Sequence, residues 1–162
     1  QVRKKRPSTY YGSEVSLTAD KNSFDDEDQA LVKFPSIVVP TGATIDSAHL
    51  RLKTINSSSG PIRGYRMIKP WTAEATWNYF DGNGVNLNSI EANPAESFVE
   101  SNLSASSSAI EIDVTSDVNA WLQGEDNQGW VFINDSSDGW DFETSGGTIV
   151  PLLTVRYSCG VG

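Results

Sequence analysis

Cysteine, histidine and methionine occur once each in 162 residues. A single cysteine, Cys159, excludes a disulfide scaffold and a zinc site built from four cysteines. What remains for it is a tail thiol or a cross-link to another chain. The only histidine, His49, alternates with Arg51 and Lys53 away from the face carrying Leu50 and Leu52. Nucleophilic catalysis needs a base within reach of its nucleophile, and no serine elbow motif accompanies His49. Long apolar runs are missing as well: nothing approaches the roughly 20 residues of a membrane-spanning helix. Basic residues are scarce outside the first six positions. Arg3, Lys4, Lys5 and Arg6 are 4 of the 12, which leaves 8 against 21 acids, a net of −13 for the rest of the chain. Such a body repels nucleic acid and anionic lipid, both of which need clustered cations. The chain starts at Gln1 rather than Met, and we read this as a processed or trimmed start, from which an upstream signal segment could have been removed.

What the sequence does contain is short alternation. Val15, Leu17 and Ala19 alternate with polar neighbours, as do Leu50 and Leu52, then Ile110, Ile112 and Val114, then Leu153 and Val155. A period of two means one buried face and one wet face. Ala30 to Phe34 and Val131 to Ile133 are continuous apolar runs and read as more deeply buried strands. Many short strands with frequent Gly, Ser, Asn and Asp turns predict an all-β fold, a two-sheet antiparallel sandwich of jelly-roll type. One segment departs from this pattern: Val118, Trp121 and Leu122 have helical spacing, with Thr115 or Ser116 as cap and Gly124 as terminator, which predicts one short helix over Thr115 to Gln123. Asp81 to Asn93 and the Ser-rich stretch Ser101 to Ser108 read as loops. The length fits a single domain, divided into a basic arm (1–9), the sandwich (10–158) and a short tail (159–162).

Several elements in order resemble the DNRLRE family of secreted β-sandwich modules. They are Tyr11-Gly12-Ser13, Ala30 to Phe34, Ile37 to Ile45 leading into Ser47 to Leu52, Trp71 to Asn78, Asp113 to Gly124 followed by Gln128-Gly129-Trp130, and Pro151 to Tyr157. The Trp71 to Asn78 and Asp113 to Gly124 elements are the most specific together. The resemblance implies a jelly-roll sandwich, a secreted location and a role as an accessory module resembling a carbohydrate-binding module, some members binding polysaccharides such as alginate. The arm Gln1 to Pro7 lies outside the matched elements.

The candidate chemistry is therefore binding. Glu74, Glu91, Glu96, Glu100 and Glu143 have no context that marks one as the raised-pKa acid of a glycosidase pair, so no catalytic residue is assigned. Trp71, Trp77, Trp121 and Trp130 lie in matched elements and read as core. Tyr10, Tyr11, Tyr65, Tyr79 and Trp140 lie in loops or at strand ends, where their rings could stack on sugar faces. Arg51, Lys53, Arg63, Arg66 and Lys69 are five of the eight remaining bases within nineteen residues. Aligned on one wet face they would bind uronate carboxylates; the other reading pairs them with neighbouring acids across strands. The ligand set read from sequence is thus Arg51, Lys53, Arg63, Tyr65, Arg66, Lys69, Tyr79 and Trp140, for a polysaccharide or other glycan. A second class is self-assembly, with Val2, Arg3, Lys4, Lys5 and Arg6 as an arm docking on the acidic body or sheet edge of the next copy. No cofactor is assigned. The oxygen-rich stretches Asp25 to Asp28 and Asp135 to Asp141 are where a structural calcium ion would sit, although neither has a calcium-loop spacing. Asn56, Asn102 and Asn134 each open an Asn-x-Ser acceptor sequence.

Overall fold

In a computed structural model that describes residues 1–22, 25–105 and 109–159, the two continuous apolar runs lie side by side. β1 (Val2–Arg3), β2 (Ser16–Asn22) and β3 (Asp26–Val32) come first, followed by β4 (Ala43–Leu52), β5 (Thr54–Asn56), β6 (Ile62–Met67) and β7 (Ala92–Glu100). β8 (Ile110–Asp113), a helix α1 (Thr115–Leu122), β9 (Trp130–Asn134), β10 (Trp140–Glu143) and β11 (Leu152–Cys159) complete the chain. β3 pairs with β9, with Ala30 opposite Phe132 and Val32 opposite Trp130. They sit at the centre of an eight-stranded antiparallel sheet ordered β5-β10-β2-β3-β9-β6-β7, with β1 added on β3. A three-stranded sheet, β11-β4-β8, forms the second layer. The all-β, two-sheet expectation holds, as does the single short α-helix.

The two faces of the large sheet are covered differently, which is why its central strands are apolar on both sides. On one face Ala30, Val32, Trp130, Phe132, Trp140 and Phe142 meet Ala48, Leu50, Leu52 and Ile112 of the small sheet, together with Val118 and Trp121 of α1. On the other, Leu31, Val131, Tyr65 and Met67 lie under the irregular segment 68–91, whose Ala75, Trp77, Phe80 and Val85 point inward. A 3-10 turn at Trp77–Tyr79 is the only regular element in that cover.

Alternation places β4 as expected: Leu50 and Leu52 are fully buried, while His49 and Arg51 face Asp113 and Glu111 of β8 across the wet side. α1 begins without a side-chain cap, contrary to the expected Thr115 or Ser116. The Thr115 hydroxyl instead accepts from the Ala48 amide at 2.9 Å, tying the helix start to β4. Gly124, at φ 112°, ends the helix in the left-handed region that favours glycine. Inside, Trp130 Nε1 donates to Asp117 Oδ2 at 2.6 Å, and its ring lies 4.8 Å from that of Trp121. Burial pushes the Asp117 carboxyl up, against the Trp130 hydrogen bond and the Arg66 charge.

The N-terminal arm does not stand apart from the sandwich. Val2 is fully buried in the second core, and β1 pairs with β3, placing Val2 opposite Gln29 and Arg3 opposite Asp28. Its charge is matched within the same chain: Arg3 with Asp28 at 3.6 Å, Lys4 with Asp25, and Lys5 with Asp26 at 2.7 Å. The acidic surface available to the arm is thus Asp25, Asp26 and Asp28, at the start of β3 of its own fold. That pairing also places ammonium and guanidinium groups on the first stretch considered for calcium. At the second, Asp135 binds Arg63 and Asp138 accepts from the Ser59 amide at 2.7 Å. Among the described residues no three His, Cys, Asp or Glu side chains converge to hold a metal ion. Of the Ser101 to Ser108 loop, residues 106–108 lie outside the described residues, and Leu103 is buried in the first core.

Candidate functional site

The basic residues expected to share a face are divided among three surfaces. Arg51 lies on β4 and Lys53 just after it, in or beside the small sheet. Arg63 and Arg66 lie on β6 of the large sheet, but on opposite sides of it. Arg63 is level with Ile133 and Arg66 with Trp130, and those two residues belong to different cores. Arg63 binds Glu96, and Asp135 at 2.9 Å; these hydrogen bonds raise its pKa further. Arg66 binds Glu125 at 2.7 Å and lies 3.4 Å from Asp117. Lys69 donates to the buried Glu91 carboxylate at 3.1 Å and to the Tyr79 carbonyl at 2.7 Å. These three residues are each paired with acids of the same chain.

Three of the five aromatic candidates are buried: Tyr11, Tyr65 and Trp140. Trp140 is fully buried, stacked on Phe142 at 4.5 Å, and donates through Nε1 to Thr54 Oγ1 at 2.9 Å. Tyr65 lies in the second core. Both belong to strands, where burial of a large ring contributes about 1.5–3 kcal/mol; a sugar platform would forgo that. Tyr79 is 44% exposed. Its hydroxyl donates to the Pro70 carbonyl at 2.6 Å, and its ring meets Phe80 edge-on at 5.0 Å, so the exposed face is held still.

The most ligand-like surface centres on Trp71, which the sequence assigned to the core. Trp71 stands in the irregular cover, just after Pro70, and is only partly buried. Its Nε1 donates to the Gln128 carbonyl at 2.7 Å. Lys33, immediately after β3, donates to Gln128 Oε1 at 3.0 Å and to the Trp71 carbonyl at 3.4 Å, with its ammonium 5.5 Å from the Trp71 ring centroid. Two glycines allow this close assembly. A Cβ on Gly12 would lie 2.3 Å from the Ala73 carbonyl oxygen, and one on Gly129, at φ +71°, 2.1 Å from the Val32 carbonyl oxygen.

Two clefts meet at Trp71, sharing Trp71, Thr72 and Ala75. One, of about 310 Å³, is walled by Tyr11, Lys33, Phe34, Phe142 and Thr144. The other, of about 370 Å³, is walled by Pro70, Glu74 and Tyr79. Binding sites for small ligands are concave, mostly apolar and aromatic, with a few placed polar groups, and both clefts fit that description. Lys33 uses two of its three N–H directions on neutral oxygens, and among the described residues no carboxylate pairs with it. Trp71, Lys33 and Phe34 were missed as site residues. The available signal was proline: Phe34-Pro35 and Pro70-Trp71 put an aromatic ring where a ladder must stop.

A β-sandwich with solvent-facing aromatic rings bordering shallow clefts is the architecture of a carbohydrate-binding module. The chain belongs to carbohydrate-binding module family 96, whose model matches residues 1–157. That match begins at residue 1 and includes the arm, in keeping with the strand pairing of Val2 and Arg3. No curated protein matches the chain in sequence.

Proposed function

We propose that this module binds an extracellular acidic polysaccharide, without catalysis, in the clefts around Trp71. The carrying observation is a partly exposed Trp ring shared by two clefts, with a lysine ammonium 5.5 Å from its centroid that no carboxylate of the described chain neutralises. The ring supplies an apolar face for a pyranose, and the ammonium supplies charge for a uronate. The location outside the cell rests on the family resemblance. Assembly through the arm finds no support, because Val2 is part of the chain's own core.

Affinity gels containing alginate, polygalacturonate or a neutral glucan test this reading. Native protein should be retarded by at least one acidic polymer, and Trp71→Ala should run as in an empty gel while still melting cooperatively. Native protein that migrates freely through all three gels would refute the proposal.

A further inference from the structure

The two clefts that meet at Trp71 carry opposite charges. Among the described residues, Lys33 is the only Lys, Arg, His, Asp or Glu side chain in the wall of the first, and Glu74 the only one in the wall of the second. Glu74 is exposed, and among the described residues no cation pairs with its carboxylate; its backbone amide is held by Thr72 Oγ1 at 3.3 Å. Lys69, which could have neutralised this end, is already engaged by Glu91, Asp81 and the Tyr79 carbonyl. A polymer laid across the Trp71 ring therefore meets a cation on one side and a carboxylate on the other. A uronate suits the first position. At the second its carboxylate would face a like charge, whereas a neutral sugar could donate its hydroxyls to Glu74, which accepts through two oxygens.

Resting on the carbohydrate-binding reading above, we propose that the preferred ligand is a mixed polysaccharide in which acidic residues are separated by neutral ones, rather than an unbroken polyuronate. Lys33 selects the acidic sugar and Glu74 selects against a second one beside it. Both are specificity residues, and the Trp71 ring supplies affinity common to all the polymers.

Polygalacturonate, the same polymer with about half its carboxylates reduced to alcohols, and the fully reduced polymer offer one backbone and linkage at three charge densities. Affinity gels or calorimetry with the native module should show tightest binding to the half-reduced polymer. Glu74→Gln should strengthen binding to unreduced polygalacturonate a few-fold at low salt, the size expected for one like-charge contact near 5 Å in water. That gain should fade at high salt. Lys33→Gln should erase the advantage of the half-reduced over the fully reduced polymer. Affinity that rises steadily with carboxylate content, with Glu74→Gln silent, would overturn the inference while leaving carbohydrate binding intact. Failure of native protein to bind all three, with Trp71→Ala no different from native, would remove both readings.

Discussion

The two faces of the large sheet present the same kind of apolar surface to two very different covers. One cover is regular, a three-stranded sheet and a helix whose side chains alternate into the interior. The other is the irregular segment 68–91, held by single anchors such as Trp77, Phe80 and Val85. Where regular structure meets regular structure, the rings of Trp130, Phe132, Trp140 and Phe142 are sealed. Where the cover is irregular, its edge leaves Trp71 and Tyr79 partly in solvent with clefts beside them. On the reading proposed above, binding falls at the margin of the irregular cover and most of the stability in the regular core, whose Phe142 the first cleft reaches.

The sharpest way to break that division is by truncation. Phe132→Ala, in the sealed core, should cost about 3–5 kcal/mol, read by urea denaturation, whereas Trp71→Ala, which gives up one hydrogen bond and packing at the edge of the second core, should cost about 1–2 kcal/mol and lose binding as well. Equal losses of stability would show that the irregular cover is as integral as the regular one. Next in size is Val2→Ala: removing two fully buried carbons from the second core should cost about 2 kcal/mol. An effect near zero would mean the arm is detached in solution.

A pH measurement sharpens the same point at Asp28, which holds the arm through Gln1 and Arg3. Burial, offset in part by Arg3, raises its pKa from 3.8 to about 6. The folded state therefore binds the proton more tightly than the unfolded chain. Asp28 contributes stability that is complete below pH 4 and lost as pH rises through 6. The stability difference between Asp28→Asn and native should shift in favour of the variant by about 1–2 kcal/mol between pH 4 and pH 7. A difference independent of pH would show that Asp28 titrates normally. Smallest in energy is a test of accessibility. In a glycosylating host, Asn102, exposed beyond the end of β7, should accept a glycan. Asn134 should not, because it is buried with its amide donating to Ala19, Ser58 and Asp138. Mass spectrometry of the glycopeptides decides this.

Much of the fold was legible because burial repeats along strands. Leu50 and Leu52, Ile110 and Ile112, and Leu153 and Val155 alternate, and the unalternating runs at β3 and β9 marked the strands covered twice. Gly124 marked the helix end. The site was less legible, for reasons specific to each residue. Arg63 and Arg66 are three apart on β6, an odd separation that puts them on opposite faces; grouping them by closeness overlooked that alternation. Trp71 and Trp77 belong to one short element, yet one ring borders solvent and the other is core, a distinction set only by where segment 68–91 lands. Trp140, beside Gly139, looked like a loop residue but is the first residue of β10. Val2 was hidden in a basic string whose charge suggested an arm reaching for the next copy.

The single cysteine has a practical consequence. β11 starts beside Pro151, which lines the first cleft, and ends at the exposed thiol of Cys159. A strand advances roughly 3.3 Å per residue, so these eight steps put the thiol roughly 25 Å from the cleft wall. Gln1, by contrast, lines the cleft itself. Maleimide coupling at Cys159 would fix every molecule to a sensor surface through one defined atom, away from the clefts proposed to bind sugar, whereas a tag joined at Gln1 would start in the wall of the first.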